Sequence, residues 1–287
     1  MPVSNPSTVG KSTSAAKTNK SKKQPDAAKL RKIQENITIL RNSRSTDLEK
    51  IGALKILGRI AGDNEQVIQA ILFLIRTNIN NDVIAEAVKS LGNIGKKDTS
   101  VLQEMIRLLR SSSNNLVIIE VLTSLGKIGN TDSTTVRAVL NLLTFNKNGS
   151  VIINIMKAFA LIAKGNNEVI QKILSLLPNT NDTNIKKSII ESLGEIASGN
   201  KSAINQLISI LRFSPNAPIL KQFAANSLGK IAVGDKDAIS AMESELKFSS
   251  SKVVKDRVAV NLNKIDRDNK AAADYRAKTK KARSIKK

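Results

Sequence analysis

The side chains that could do chemistry in this chain of 287 residues are carboxylates, amines and hydroxyls, because the sequence contains neither Cys nor His. Without thiols there is no cysteine nucleophile, disulfide framework or iron–sulfur site. Without imidazoles there is no His general base, catalytic triad or His-ligated metal. Acidic pairs such as Glu243 and Glu245 have the spacing of an ordinary helix surface. We therefore expect no enzyme, and no catalytic, metal-ligating or cofactor-binding residue.

Positive charge is the chemical property that this sequence has in excess. It contains 46 Lys and Arg against 24 Asp and Glu, which gives a formal net charge of +22. Charge of this sign favours a polyanionic partner, such as nucleic acid, an anionic membrane surface or an acidic protein. The alternative is a charge that only keeps the chain soluble, or a Lys-rich composition set by the genome.

The charge is concentrated at both ends of the chain. The stretches KTNKSKK from Lys17 and KTKKARSIKK from Lys278 contain few apolar residues, so we expect disordered basic tails over 1–26 and 266–287. Such arms bind phosphate backbones by releasing counterions. They serve equally well as localisation signals or as lipid-surface contacts. Base stacking is not expected, because Tyr275 is the only ring in either tail and looks incidental.

One short apolar motif, most often Leu-Gly-x-Ile, recurs along the chain at a fixed period. Its first residues are Leu57, Leu91, Leu125, Phe159, Leu193, Leu228 and Leu262, which lie 34, 34, 34, 34, 35 and 34 residues apart. A constant period of 20–50 residues is the signature of a solenoid, a propeller or a repeat array. We call these seven positions the marker residues.

The pattern within one period identifies the repeating unit as a helical hairpin. Apolar residues over 67–75 form a first helix, helix A, and a polar turn follows at 78–82. Over 83–94 the apolar residues recur at helical spacing, which predicts an amphipathic helix B. Gly92 follows the marker Leu inside helix B, where glycine costs about 1 kcal/mol relative to Ala, so its recurrence indicates close approach of a neighbouring helix. The fold class is therefore all-α, an α-solenoid of about seven repeats.

Glycine and short polar residues mark where each B helix is predicted to end and the next A helix to begin. Gly95 is expected to close the second B helix with the positive φ that glycine adopts easily. The residues expected to cap the following A helices are Asp63, Asn130, Asn166, Asn200 and Asp235.

Helix B resembles the second helix of HEAT repeats, through the run Asp82-Val83, Ala87, Leu91-Gly92 and Ile94-Gly95. The resemblance covers residues 27–265 and implies a superhelical stack of hairpins whose B helices line a concave, partner-binding surface. Tetratricopeptide and ankyrin repeats fit less well, because their signature residues are absent. Bilin lyases with similar repeats remain the enzymatic alternative, although no chromophore motif is present. The predicted domains are an N-terminal arm (1–26), a HEAT-like solenoid (27–265) and a C-terminal tail (266–287).

Helical geometry places the positions two before and two after each marker residue on the side opposite to the core. In successive repeats these positions should align into a column. The basic residues in this candidate partner-binding column are Lys55, Arg59, Lys89, Lys127, Lys157, Lys230 and Lys264. Glu191 and Glu195 interrupt the column in the fifth repeat. The alternative is a solvated helix face that favours Lys because Lys is a good helix former.

The function favoured by these features is a non-enzymatic HEAT-repeat scaffold that engages nucleic acid or a ribonucleoprotein through its basic arms and B helices. The alternative is an adaptor that binds an acidic protein or peptide in its concave surface. No small-molecule substrate is expected, and the oligomeric state stays open. Without a transmembrane segment or a secretory signal, we expect a cytoplasmic protein, with nuclear or organellar targeting by the tails as the alternative.

Overall fold

The computed structural model describes residues 27–284 apart from Lys97, Asn130 and Pro215, with side chains up to residue 280, so the predicted arm 1–26 lies outside the described residues. The described residues form fifteen α-helices and no strand, which confirms the all-α class. The helices are α1 (Ala27–Arg41), α2 (Asp47–Ile60), α3 (Glu65–Thr77), α4 (Asn81–Ile94), α5 (Thr99–Ser111), α6 (Asn115–Ile128), α7 (Ser133–Phe145), α8 (Gly149–Ile162), α9 (Asn167–Leu176), α10 (Thr183–Ile196), α11 (Lys201–Phe213), α12 (Pro218–Ile231), α13 (Lys236–Phe248), α14 (Lys252–Ile265) and α15 (Lys270–Ser284).

The first fourteen helices pair into seven consecutive hairpins, from repeat 1 (α1 and α2) to repeat 7 (α13 and α14). Odd-numbered helices are the A helices, and even-numbered helices up to α14 are the B helices. Each hairpin stacks on the next in chain order, so the predicted solenoid of about seven helical hairpins is confirmed. Every marker residue is fully buried at 0% exposure, as the helical period predicts.

The loops between repeats are closed by the residue types that the sequence indicates, with three differences. Asp132 caps α7, two residues later than the predicted Asn130, which lies outside the described residues. Asn166 and Asn200 accept hydrogen bonds from the backbone N–H groups of the A helices that they precede. Asn64, one residue later than predicted, caps α3. Gly95 has φ −98°, so the expected left-handed conformation is wrong. Glycine is needed there for space, because a β-carbon would lie 2.7 Å from Cγ2 of Val101.

The B helices stack closely because small residues meet at each contact between them. A β-carbon on Gly92 of α4 would lie 2.5 Å from the Ser124 hydroxyl oxygen of α6, which confirms the predicted close approach. In return, Ser124 donates a hydrogen bond to the carbonyl of Val88, one turn before that glycine. Ser90 and Ser227 donate in the same way to carbonyls of the preceding B helix, at 2.9 and 2.8 Å. The Ser-Leu-Gly sequence therefore joins consecutive repeats by a close serine–glycine contact and a hydrogen bond, which together we call the lock between B helices.

The chain after repeat 7 is helical, which corrects the expected disorder of residues 270–284. Asn269 caps α15 by accepting from the backbone N–H of Ala272, and Ala272 is itself buried. The Tyr275 hydroxyl donates to Asp256 of α14 at 2.8 Å, so this ring has a structural role. Tertiary contact with the apolar end of repeat 7 stabilises a segment whose composition alone predicts a disordered tail.

Candidate partner-binding surface

The B helices line the inner side of the stack. They pack against one another more closely than the A helices do, since glycine and serine meet at their contacts. Unequal spacing in the two layers bends the stack toward the closely packed one. The solvent-exposed face of the B helices is therefore the concave face, and the outward positions beside the marker residues lie on it.

All seven residues of the predicted basic column are exposed on this face, namely Lys55, Arg59, Lys89, Lys127, Lys157, Lys230 and Lys264. Equivalent positions of neighbouring repeats come within hydrogen-bonding distance. Lys127 Nζ lies 3.3 Å from the side-chain oxygen of Asn93, one repeat earlier. Lys230 Nζ lies 2.5 Å from a carboxylate oxygen of Glu195, again one repeat earlier. In these two pairs of repeats the equivalent outward positions therefore lie side by side.

The column divides into two electrostatically different parts. In repeats 1 to 4 its outward positions carry no acidic residue, and Lys55 and Lys157 have no acidic partner among the described residues. In repeat 5 both positions are acidic, and Glu195 neutralises Lys230 of repeat 6. Lys264 of repeat 7 donates to the Asn261 side chain at 2.9 Å. The structure therefore brings positive charge together over repeats 1 to 4, where Lys89 alone of the column residues has an acidic partner among the described residues, Glu86 at 3.7 Å, and separates this charge from Lys230 and Lys264.

The comparisons with known proteins concern the repeats that form this column. A family model described as HEAT repeats matches residues 170–263, which span almost all of repeat 5, all of repeat 6 and most of repeat 7. These residues are similar to HEAT repeats. No curated protein matches the chain. The crystal structure of an engineered protein is similar at 19% identity, covering 82% of this chain and 98% of that one, with a TM-score of 0.42. A computationally designed self-assembling cyclic homo-oligomer is similar at 18% identity, covering 89% and 88%, with a TM-score of 0.16.

Exposed phenylalanines on the A helices of the solenoid are a second surface feature, which the sequence analysis missed. Of the six phenylalanines in the chain, Phe73, Phe145, Phe213 and Phe248 are 59–81% exposed. Phe213 and Phe248 end the A helices of repeats 6 and 7, and they line a cavity of about 580 Å³ together with Arg212. Their separation of 35 residues, one repeat period, is the signal in the sequence that could have found them.

A buried ion pair forms the wall of the same cavity. Glu245 of α13 accepts hydrogen bonds from Lys221 of α12 at 2.8 and 3.0 Å, and the two side chains are only 10% and 11% exposed. The prediction that Glu243 and Glu245 are ordinary helix surface is therefore wrong for Glu245. The spacing of residues along one helix cannot reveal a cation that an adjacent hairpin supplies.

Two further kinds of site are absent from the described part of residues 27–284. No group of acidic side chains in this part of the chain could hold a metal ion. None of the described helices is both long enough and apolar enough to cross a bilayer.

Proposed function

We propose that this chain is a non-enzymatic binding scaffold that holds nucleic acid, alone or in a ribonucleoprotein, on the concave face of repeats 1 to 4. One observation carries the proposal, namely the alignment of exposed Lys and Arg side chains from four consecutive repeats with no acidic residue among them. The net charge of +22 supports it, because the rest of the molecule adds attraction for a polyanion.

The chemistry of the column suits phosphate groups rather than bases. Neighbouring helices lie about 8–10 Å apart, so the column spans roughly 25–30 Å over the three intervals between repeats 1 and 4. Lys55, Lys89 and Lys127 offer ammonium groups along this length, and the column contains no aromatic side chain on which a base could stack. Binding should therefore be independent of sequence and should weaken steeply as salt rises.

A matched pair of triple variants tests the location of binding. In Lys55→Glu/Lys89→Glu/Lys127→Glu the column loses three phosphate contacts, so the log–log salt slope should fall by about three units and affinity should fall at least tenfold. In Arg110→Glu/Arg137→Glu/Lys236→Glu the same charge change falls on exposed positions of A helices. Fluorescence anisotropy with a labelled 20-base-pair RNA duplex, between 50 and 200 mM salt, measures both. Equal losses in the two variants would place binding elsewhere.

The second candidate is an adaptor for an acidic protein or peptide. The exposed Phe213 and Phe248 favour it, because aromatic side chains beside an Arg are typical anchors of protein interfaces. These anchors lie where helix A meets the turn to helix B, away from the basic column. Capture of one defined protein by the full chain after nuclease treatment, and loss of that protein in Phe213→Ser/Phe248→Ser, would favour the adaptor over the nucleic-acid scaffold.

A further inference from the structure

The lock between B helices is missing at the contact between repeats 4 and 5. Ala160 of α8 occupies the position that glycine holds in all five of the other contacts between consecutive B helices, as at Gly92 and Gly194. By analogy with the other contacts, Ser192 of α10 should donate to the carbonyl of Met156, one turn before Ala160. It does not, because the Ala160 methyl group stands where a serine approaches a glycine elsewhere.

This missing contact leaves a buried polar group without a partner. Ser192 is 2% exposed, and its hydroxyl is the one buried side-chain polar atom in the described part of the chain that has no hydrogen-bond partner. Buried hydroxyls in folded proteins are almost always hydrogen-bonded, so such an atom indicates a missing ligand or a strained contact.

A cavity of about 480 Å³ lies between α8 and α10 at this contact, with Ser192 in its wall. Its apolar part is formed by Met156, Ala160 and Leu161. Leu161 is 60% exposed and occupies the outward position two residues after the marker residue. This position is polar in every other repeat. An exposed leucine beside an open cavity on a polar face has the character of an interface anchor point.

The charges at the rim determine which ligand fits. Lys230 and Glu195 neutralise each other in an ion pair. Lys157 on α8 and Glu191 on α10 face the cavity from opposite helices, and neither has a hydrogen bond or an ion pair with any described residue. The rim therefore offers one free positive and one free negative charge around an apolar centre. The rim carries two lysines and two glutamates in all, so it has no net charge that would attract a polyanion such as nucleic acid.

We propose that the cavity between repeats 4 and 5 is a second binding site, which takes a polypeptide segment with an apolar side chain between an acidic and a basic residue. The apolar side chain packs against Met156 and Leu161, and its charged neighbours pair with Lys157 and Glu191. The proposal goes beyond the nucleic-acid scaffold, and its test contains no nucleic acid.

Two short peptides serve as probes for the full chain labelled with ¹⁵N. The first is acetyl-Gly-Glu-Leu-Lys-Gly-amide, and the second replaces its Leu by Gly while keeping both charges. We expect the Leu peptide to shift amide resonances of α8 and α10 in a saturable manner, and the Gly peptide to leave them unchanged. Equal shifts with both peptides, or shifts confined to other helices, would overturn the proposal.

Two variants test the site itself. In Ala160→Gly, Ser192 can reach the Met156 carbonyl and close the cavity, so affinity for the Leu peptide should fall at least tenfold; Ala273→Gly, on the exposed face of α15, is the control. In Glu191→Gln the rim loses its free negative charge, and affinity should fall severalfold, whereas Glu168→Gln on the surface of α9 should have no effect. Unchanged affinity in both Ala160→Gly and Glu191→Gln would show that the peptide binds elsewhere.

Discussion

At the residue scale, one methyl group decides whether a serine between two B helices finds its acceptor. Ser227 faces Gly194 and donates to the Ile190 carbonyl at 2.8 Å, whereas Ser192 faces Ala160 and has no partner among the described residues. The two serines lie in consecutive repeats, at equivalent positions, and both are 2% exposed. Comparing the two serines therefore separates the contribution of the hydrogen bond to stability from the contribution of burial.

Replacing these two serines should have opposite effects on stability. Ser227→Ala removes a satisfied hydrogen bond and leaves one carbonyl without its second donor, so the free energy of unfolding should fall by about 1 kcal/mol. Ser192→Ala removes a buried hydroxyl that has no partner, so it should be neutral or stabilising. Urea unfolding followed by circular dichroism measures both variants. An equal loss of stability in the two would mean that Ser192 does find an acceptor in solution.

The cap of α13 should make stability depend on pH in the acid range. Burial raises the pKa of Asp235, but the hydrogen bond from Lys201 and those from the backbone N–H groups of Ala238 and Asp237 outweigh it and hold the pKa below its usual value. A folded-state pKa below the unfolded value near 3.9 means that this stabilisation is complete above about pH 4 and is lost as pH falls through the folded pKa.

Asp235→Asn tests this linkage, because asparagine already caps the equivalent helices at Asn166 and Asn200. The variant should keep the cap and lose the ion pair with Lys201, so it should unfold at lower urea than the natural chain at pH 7. The two unfolding midpoints should converge as the pH falls through the lowered folded pKa of Asp235. Lys201→Gln should show the same convergence, and the double variant should be no less stable than either single one. A difference between the midpoints that stays constant as the pH is lowered from 7 would contradict the assignment.

At the element scale, glycine in a B helix stabilises the contact between helices at the expense of the helix itself. Gly92→Ala should destabilise the chain by about 1–3 kcal/mol, because its β-carbon would lie 2.5 Å from the Ser124 hydroxyl oxygen and would force α4 and α6 apart. Gly52→Ala in α2 is the matched control. No atom lies within 4 Å of a β-carbon there, so the change should stabilise by about 0.5–1 kcal/mol. Thermal unfolding measures the stability of both variants. Stability changes of the same sign in the two variants would exclude this explanation.

The helices were predictable where local periodicity determines them, and less so where a neighbouring element does. The spacing of the marker residues predicts the hairpins, and the helical period places Lys55 and Lys127 on the exposed face. The lack of room for a β-carbon at Gly95 depends on the nearby Val101 side chain, and the burial of Glu245 depends on Lys221 of another hairpin. The same limit applies to the candidate sites, because neither the pairing of Lys230 with Glu195 nor the cavity beside Leu161 follows from one repeat alone.

At the scale of the whole molecule, each hairpin contacts chiefly the hairpins before and after it. Stability in such a stack is a sum of repeat and neighbour terms, so a terminal repeat depends on whatever covers its outer face. Repeat 7 is covered by α15, which buries Ala272 and joins Tyr275 to Asp256. Basic composition alone makes this helix look like a tail, but its position makes it part of the solenoid.

Deletion of residues 267–287 should therefore loosen the end of the molecule and leave the beginning unchanged. Without α15 the apolar side of α13 and α14 is exposed to water, so amide hydrogen exchange in these two helices should become at least tenfold faster. Helices α2 to α8 lie several repeats away and should keep their exchange rates, because neighbour terms do not extend that far. Tyr275→Phe removes only the hydroxyl contact with Asp256 and should produce a smaller change in α14. Uniform acceleration along the whole chain after the deletion would mean that the solenoid unfolds as one cooperative unit, and would contradict the nearest-neighbour account.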